Sequence, residues 1–166
     1  MKTLTFAAVA ALLPIAALAH DGMHMNDAYA RSTNPRTAAV FMTLENHRAV
    51  PCTLQAITTD AAERAELHTH LEEDGVMRMV KIEDGVTTPA GETRDLVRGG
   101  EHIMLLGLAK PLAEGDSLTL TLDFGDCPTE TVDVVVDNQR SDDATHDAGT
   151  SHDHDHDHAH GDHAGH

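Results

Sequence analysis

Leu118-Thr119-Leu120-Thr121-Leu122 alternates apolar and polar residues with a period of two, which puts three leucines on one face of an extended strand and two threonines on the other. Similar runs rich in Val, Thr, Leu and Ile recur along the chain. They predict strands at residues 25–31, 39–45, 53–59, 64–71, 76–82, 94–97, 102–107, 117–124 and 130–136. Asp74-Gly75, Asp84-Gly85, Ala90-Gly91, Gly99-Gly100 and Gly115-Asp116 supply the turns between them. No stretch of this body carries a long helical period. Strands at such spacing predict an all-β domain, an antiparallel β-sandwich. The body covers residues 20–140, enough for one domain with a modest core.

The two ends read differently. Lys2 precedes an apolar run at residues 4–18 that closes on Ala17-Leu18-Ala19, the pattern of a secretory signal (residues 1–19) cleaved after Ala19. The run is too short to span a bilayer, and no second hydrophobic segment follows it. No cysteine follows the cleavage site, so the expectation is a soluble exported protein beginning at His20, with no lipid anchor and no direct membrane anchor. Residues 141–166 contain no Lys, Arg or bulky apolar residue. Such a segment cannot bury enough apolar surface to offset the entropy of ordering, so it is expected to be disordered. It is read either as an acidic solubilising tail or as a metal-capture segment. Capture would use the neutral imidazoles of His152, His154, His156, His158, His160, His163 and His166. Its nitrogen and oxygen donors suit Cu(II), Zn²⁺ or Ni²⁺ better than Cu(I).

The formal net charge of −17 argues against nucleic acid or an anionic membrane as partner and suits a protein that concentrates cations. Cys52 and Cys127 are the only thiols, each beside a proline near a predicted strand end. In an exported protein they can pair in one way, a disulfide tying the two halves of the sandwich; a copper thiolate site is the alternative. Without a C-x-x-C motif, a thioredoxin-like redox role has little support.

Four soft or borderline donors, His68, Met79, His102 and Met104, give the body its candidate chemistry. Two imidazoles and two thioethers favour Cu(I), because thioether sulfur is soft and poorly matched to Mg²⁺ or Ca²⁺. His102 and Met104 are two apart, hence on one face of a strand. The pattern resembles the periplasmic copper chaperones of the PCu(A)C family, whose signature is H-x10-M-x21-H-x-M. Ten residues separate His68 from Met79, as in the signature, and twenty-two separate Met79 from His102, one more than in it. Asp27-Ala28-Tyr29-Ala30-Arg31, Ala39-Val40-Phe41-Met42-Thr43-Leu44-Glu45-Asn46 and His102-Ile103-Met104-Leu105-Leu106-Gly107-Leu108 extend the resemblance over residues 25–137.

The resemblance implies a cupredoxin-like Greek-key sandwich that binds Cu(I) on those four residues. It also implies delivery of copper for cytochrome c oxidase assembly at the copper A centre, to a membrane oxidase subunit or another periplasmic chaperone. The tail would gather Cu(II), and a monomer is expected. Periplasmic sequestration or buffering of copper or zinc is the alternative function. No acid–base pair or aromatic-lined site suggests an enzyme. Several neighbours compete for roles. His70 shares a face with His68 as an alternative ligand or supporting group, Met77 neighbours Met79, Met42 reads as core, and His47 as a solvated turn residue. His20, Met23, His24 and Met25 read either as a frayed end or as an additional copper-binding segment.

Overall fold

The computed structural model describes residues 22–140. It contains eleven strands and, among the described residues, no helix: β1 Met23–Asn34, β2 Thr37–Asn46, β3 Cys52–Leu54, β4 Ala56–Thr58, β5 Ala62–Glu73, β6 Val76–Lys81, β7 Val86–Thr88, β8 Thr93–Leu96, β9 His102–Leu108, β10 Ser117–Asp123 and β11 Glu130–Val136. The signal segment 1–19 and the His/Asp-rich tail 141–166 lie outside the described residues.

The main sheet runs β1-β11-β10-β4-β5-β9-β2-β8, and β1 also pairs with β2, which closes the sheet on itself. The expected all-β Greek-key sandwich is therefore a flattened barrel whose two walls are hydrogen-bonded at their edges. Its ladders are antiparallel except β1–β11, which is parallel. Leu118, Leu120 and Leu122 of β10 and Val134 and Val136 of β11 face inward, with Val40, Leu44, Leu67, Ile103 and Leu105 among the core residues from the other strands. Burying each such side chain contributes about 1.5–3 kcal/mol. Met42 is core, as its sequence context suggested.

Two features of the strand pattern differ from the sequence expectation. Gln55 interrupts the run at 53–59: its amide donates to the Asp123 carbonyl at 2.9 Å, so β3 pairs with β7 in a small second sheet while β4 joins the barrel. Strand β7 was hidden because Val86-Thr87-Thr88 is too short to show a period. Gly85 precedes it at φ +77°, and a Cβ there would lie 2.5 Å from the Leu54 carbonyl oxygen, so only glycine lets β7 approach β3.

Asp74 and Gly75 have φ of 54° and 75°. Two central residues with positive φ are what a two-residue type I′ hairpin requires, and Asp-Gly is a preferred pair for it. This turn sets Glu73 opposite Val76, and from there the whole β5–β6 register.

Cys52 and Cys127 form the disulfide across 75 residues of chain, which excludes the copper thiolate alternative. It ties the small sheet to the turn between β10 and β11. In the chain-entropy description a loop of that length contributes roughly 4 kcal/mol. Replacing both cysteines by alanine is expected to lower the unfolding free energy by about 2–5 kcal/mol. Urea unfolding of the two chains measures this; equal stability would show that the bridge carries no mechanical role.

Candidate metal centre

Strand β5 lies between β6 and β9, hydrogen-bonded to both. Leu67 on β5 and Ile103 and Leu105 on β9 point into the core. Alternation then sends Glu66, His68 and His70, with His102 and Met104, to the outer face. His68 sits directly opposite His102, and Glu66 opposite Met104. His70 sits directly opposite Met79 on β6, while the partner of His68 there is Lys81. Three imidazoles and two thioethers thus share one face of three adjacent strands.

The face is graded in exposure. His102 is only 2 % exposed, whereas Met79 is 46 % exposed and Met77, on the same side of β6, is 58 % exposed. His68, His70 and Met104 are half-buried. An aromatic row shields His102: the Phe41 ring lies 5.9 Å from its ring, Tyr29 lies 5.2 Å from Phe41, and the Arg140 guanidinium stacks 4.4 Å above Tyr29. The ring centres of His68 and His102 are 6.1 Å apart, and those of His70 and His102 are 5.4 Å apart in a stacked arrangement.

Hydrogen bonds assign the tautomers. His102 Nδ1 donates to the Gly100 carbonyl at 3.0 Å, which leaves Nε2 with the lone pair. His68 Nε2 donates to Glu66 Oε2 at 3.1 Å, which leaves Nδ1 with the lone pair. A carbonyl or carboxylate on the far nitrogen is how ligating histidines are commonly oriented. The His68 hydrogen bond holds the Glu66 carboxyl below its usual range, with Arg64 and Lys81 adding to the effect. His68 Nδ1 and His70 Nδ1 are buried and have no hydrogen-bond partner. A buried polar atom left unpaired costs about 1–3 kcal/mol, a deficit that an ion would relieve.

Among the described residues, no three His, Cys, Asp or Glu side chains are already gathered as a metal cage. A metal here must draw on sulfur, move the imidazoles, or both. The donor set fits copper better than a hard cation.

The remaining candidate ligands lie elsewhere. Met23 is buried in the core and Met25 packs against it, so Met23, His24 and Met25 begin strand β1 and are not a frayed end. His24 points outward, its ring 4.7 Å from that of His47, which contacts Glu45 at 3.1 Å. His20 and the tail histidines His152, His154, His156, His158, His160, His163 and His166 lie outside the described residues. Sequence reasoning passed over Glu66, which two-residue spacing from His68 places on the same face. It also passed over the Phe41–Tyr29 shield, for which local pattern holds no signal.

Burial pushes the His102 imidazole below its ordinary range, and the nearby His70 and His68 add to this; the Gly100 hydrogen bond opposes it. The unfolded chain keeps a histidine pKa of about 6.5. Between the lowered folded value and that one, the unfolded state binds more protons, so stability of the metal-free protein rises with pH through this window and levels off above it. Proton NMR titration of the His102 ring should show a midpoint below the ordinary value, and urea unfolding should show stability lost as pH falls through the same window. A midpoint at or above about 6.5 would overturn the assignment.

The family model described as LpqE-like, a family of candidate lipoproteins, matches residues 23–136. A protein of Leifsonia xyli subsp. xyli, designated a candidate lipoprotein, is 33% identical over 116 residues, 70% of each chain. The copper-bound PCuAC domain from PmoF2 superposes with a TM-score of 0.57 at 19% identity, covering 69% of this chain and 91% of that domain. The CuI form of DR1885 from Deinococcus radiodurans has a TM-score of 0.55 at 29% identity, covering 74% of this chain and 84% of that protein.

Proposed function

The chain belongs to the LpqE-like family, and from that premise we propose that it is an exported copper carrier whose folded domain binds Cu(I) through His68, Met79, His102 and Met104. The observation that carries the reading is the shared outer face of β5, β6 and β9, where two imidazoles oriented by Gly100 and Glu66 stand beside thioether sulfur. The copper-bound PCuAC domain of PmoF2 and the CuI form of DR1885, similar in fold, support copper as the cargo.

A carrier needs a site that is selective yet exchangeable. Thioethers select the soft ion, and as neutral ligands they release it more readily than thiolates do. The exposure gradient suits transfer: Met79 stands open to a partner's ligands while His102 stays shielded. Both cysteines are held in the disulfide, so the ligands of the proposed site are imidazoles and thioethers. By resemblance, the recipient is a copper-accepting membrane oxidase subunit or another periplasmic chaperone, in assembly of the copper A centre of cytochrome c oxidase. Basic patches on that recipient would be drawn to a chain of net charge −17. The His/Asp-rich tail gathers Cu(II). If it alone bound metal, the function would be sequestration.

Met104→Leu conserves volume and is expected to cost under about 1.5 kcal/mol of stability. It removes a sulfur donor, so Cu(I) affinity measured by chelator competition on the mature chain should fall by on the order of tenfold or more. X-ray absorption of the parent loaded with one Cu(I) should show sulfur scattering. Unchanged competition would make Met104 a packing residue, and nitrogen and oxygen scattering alone would remove the site.

The mature chain is further expected to bind more Cu(II) at neutral pH than a chain ending at Arg140. The difference should shrink toward about pH 5, because only neutral imidazole coordinates. Equal stoichiometry at neutral pH would leave the tail as a solubilising extension.

A further inference from the structure

We propose that His70 is a third imidazole ligand on this face and that it lets the folded site hold Cu(II) as well as Cu(I); the inference rests on the reading of the face as a copper site. A histidine kept for packing is normally satisfied by its neighbours. His70 is different: its Nδ1 is buried with no hydrogen-bond partner, as is that of His68 beside it on the same face.

Its position is central. The β5–β6 register puts it directly opposite Met79, with His68 only diagonal to that sulfur. Its ring centre is 5.4 Å from that of His102, closer than His68 at 6.1 Å. A metal–nitrogen bond is about 2.0 Å, so two imidazoles on one ion have ring centres at most about 6 Å apart. Both separations lie near that reach, and side-chain rotation can bring the rings onto a common ion without breaking either strand ladder.

The chemical consequence follows from ligand preference. Two imidazoles with two thioethers suit Cu(I), whereas Cu(II) prefers nitrogen and oxygen in a tetragonal set. A third imidazole gives the oxidised ion a nitrogen-majority set on the same face, and Met79 and Met104 remain beside it for the reduced ion. Copper arriving as Cu(II) then meets an acceptor that needs no prior reduction.

The test uses the mature full-length chain with ¹³C-methyl methionine, comparing the parent with His70→Phe, which retains an aromatic ring on His102 but no nitrogen donor, and with His70→Gln. The Met42 methyl in the core reports folding in every spectrum. In the parent, Cu(II) should broaden the Met79 and Met104 methyl signals by paramagnetic relaxation. In both variants about tenfold more Cu(II) or greater should be needed, while Cu(I) still shifts the same two signals. The tail is identical in all three chains, so copper held there cannot produce the difference. Equal broadening in parent and variants, or none in the parent, overturns the role of His70. Absence of any Cu(I) shift at Met79 and Met104 in the parent overturns the copper site itself, a separate result.

Discussion

Strand β5 is hydrogen-bonded along both edges, to β6 and to β9, and the register of these two ladders decides which side chains share its outer face. Side chains alternate with a period of two, so a slip of one residue would turn His68 and His70 into the core and expose Leu67. The apolar cost of that slip holds the register on the β9 side, where Leu67 faces Ile103. On the β6 side the Asp74-Gly75 turn does the same work by backbone geometry. Every donor position on the face follows from these two constraints.

The face combines rigidity and access. His102 is held by the Gly100 carbonyl beneath Phe41, with Tyr29 and Arg140 extending the cover. The β6 side lies on a hairpin whose residues from Leu71 to Met79 are exposed, so its sulfur meets solvent. Burial of His102 disfavours its charged form, whereas the β6 side of the face stays open to solvent. The unpartnered nitrogens of His68 and His70 are a local instability that binding would relieve. Buried polar groups in folded proteins are ordinarily paired, so these two nitrogens set the face apart from the rest of the barrel.

The rest of the domain supports that arrangement. Closure of the sheet through β1–β2 removes two free edges, and the disulfide anchors the separate β3–β7 pair. The stability thus supplied allows one wall of the barrel to carry histidines and methionines where a purely structural sheet would carry threonine or charge.

Much of this was legible in the chain. The Leu-Thr alternation of 118–122, the His-x-Met pair at 102 and 104, the Asp-Gly turn and the two lone cysteines each act through local geometry or a unique pairing, so sequence alone determined the all-β class and the face shared by His102 and Met104, and it singled out the candidate donors. The tertiary structure decided the rest: the break at Gln55, the strand at Val86–Thr88, the placement of Met23 in the core and the aromatic cover over His102. It also placed His70, not His68, directly across from Met79. The physical reason is range. Periodicity reports which way a side chain points from its own strand, but which strands become neighbours, and in what register, depends on packing between residues far apart in the chain.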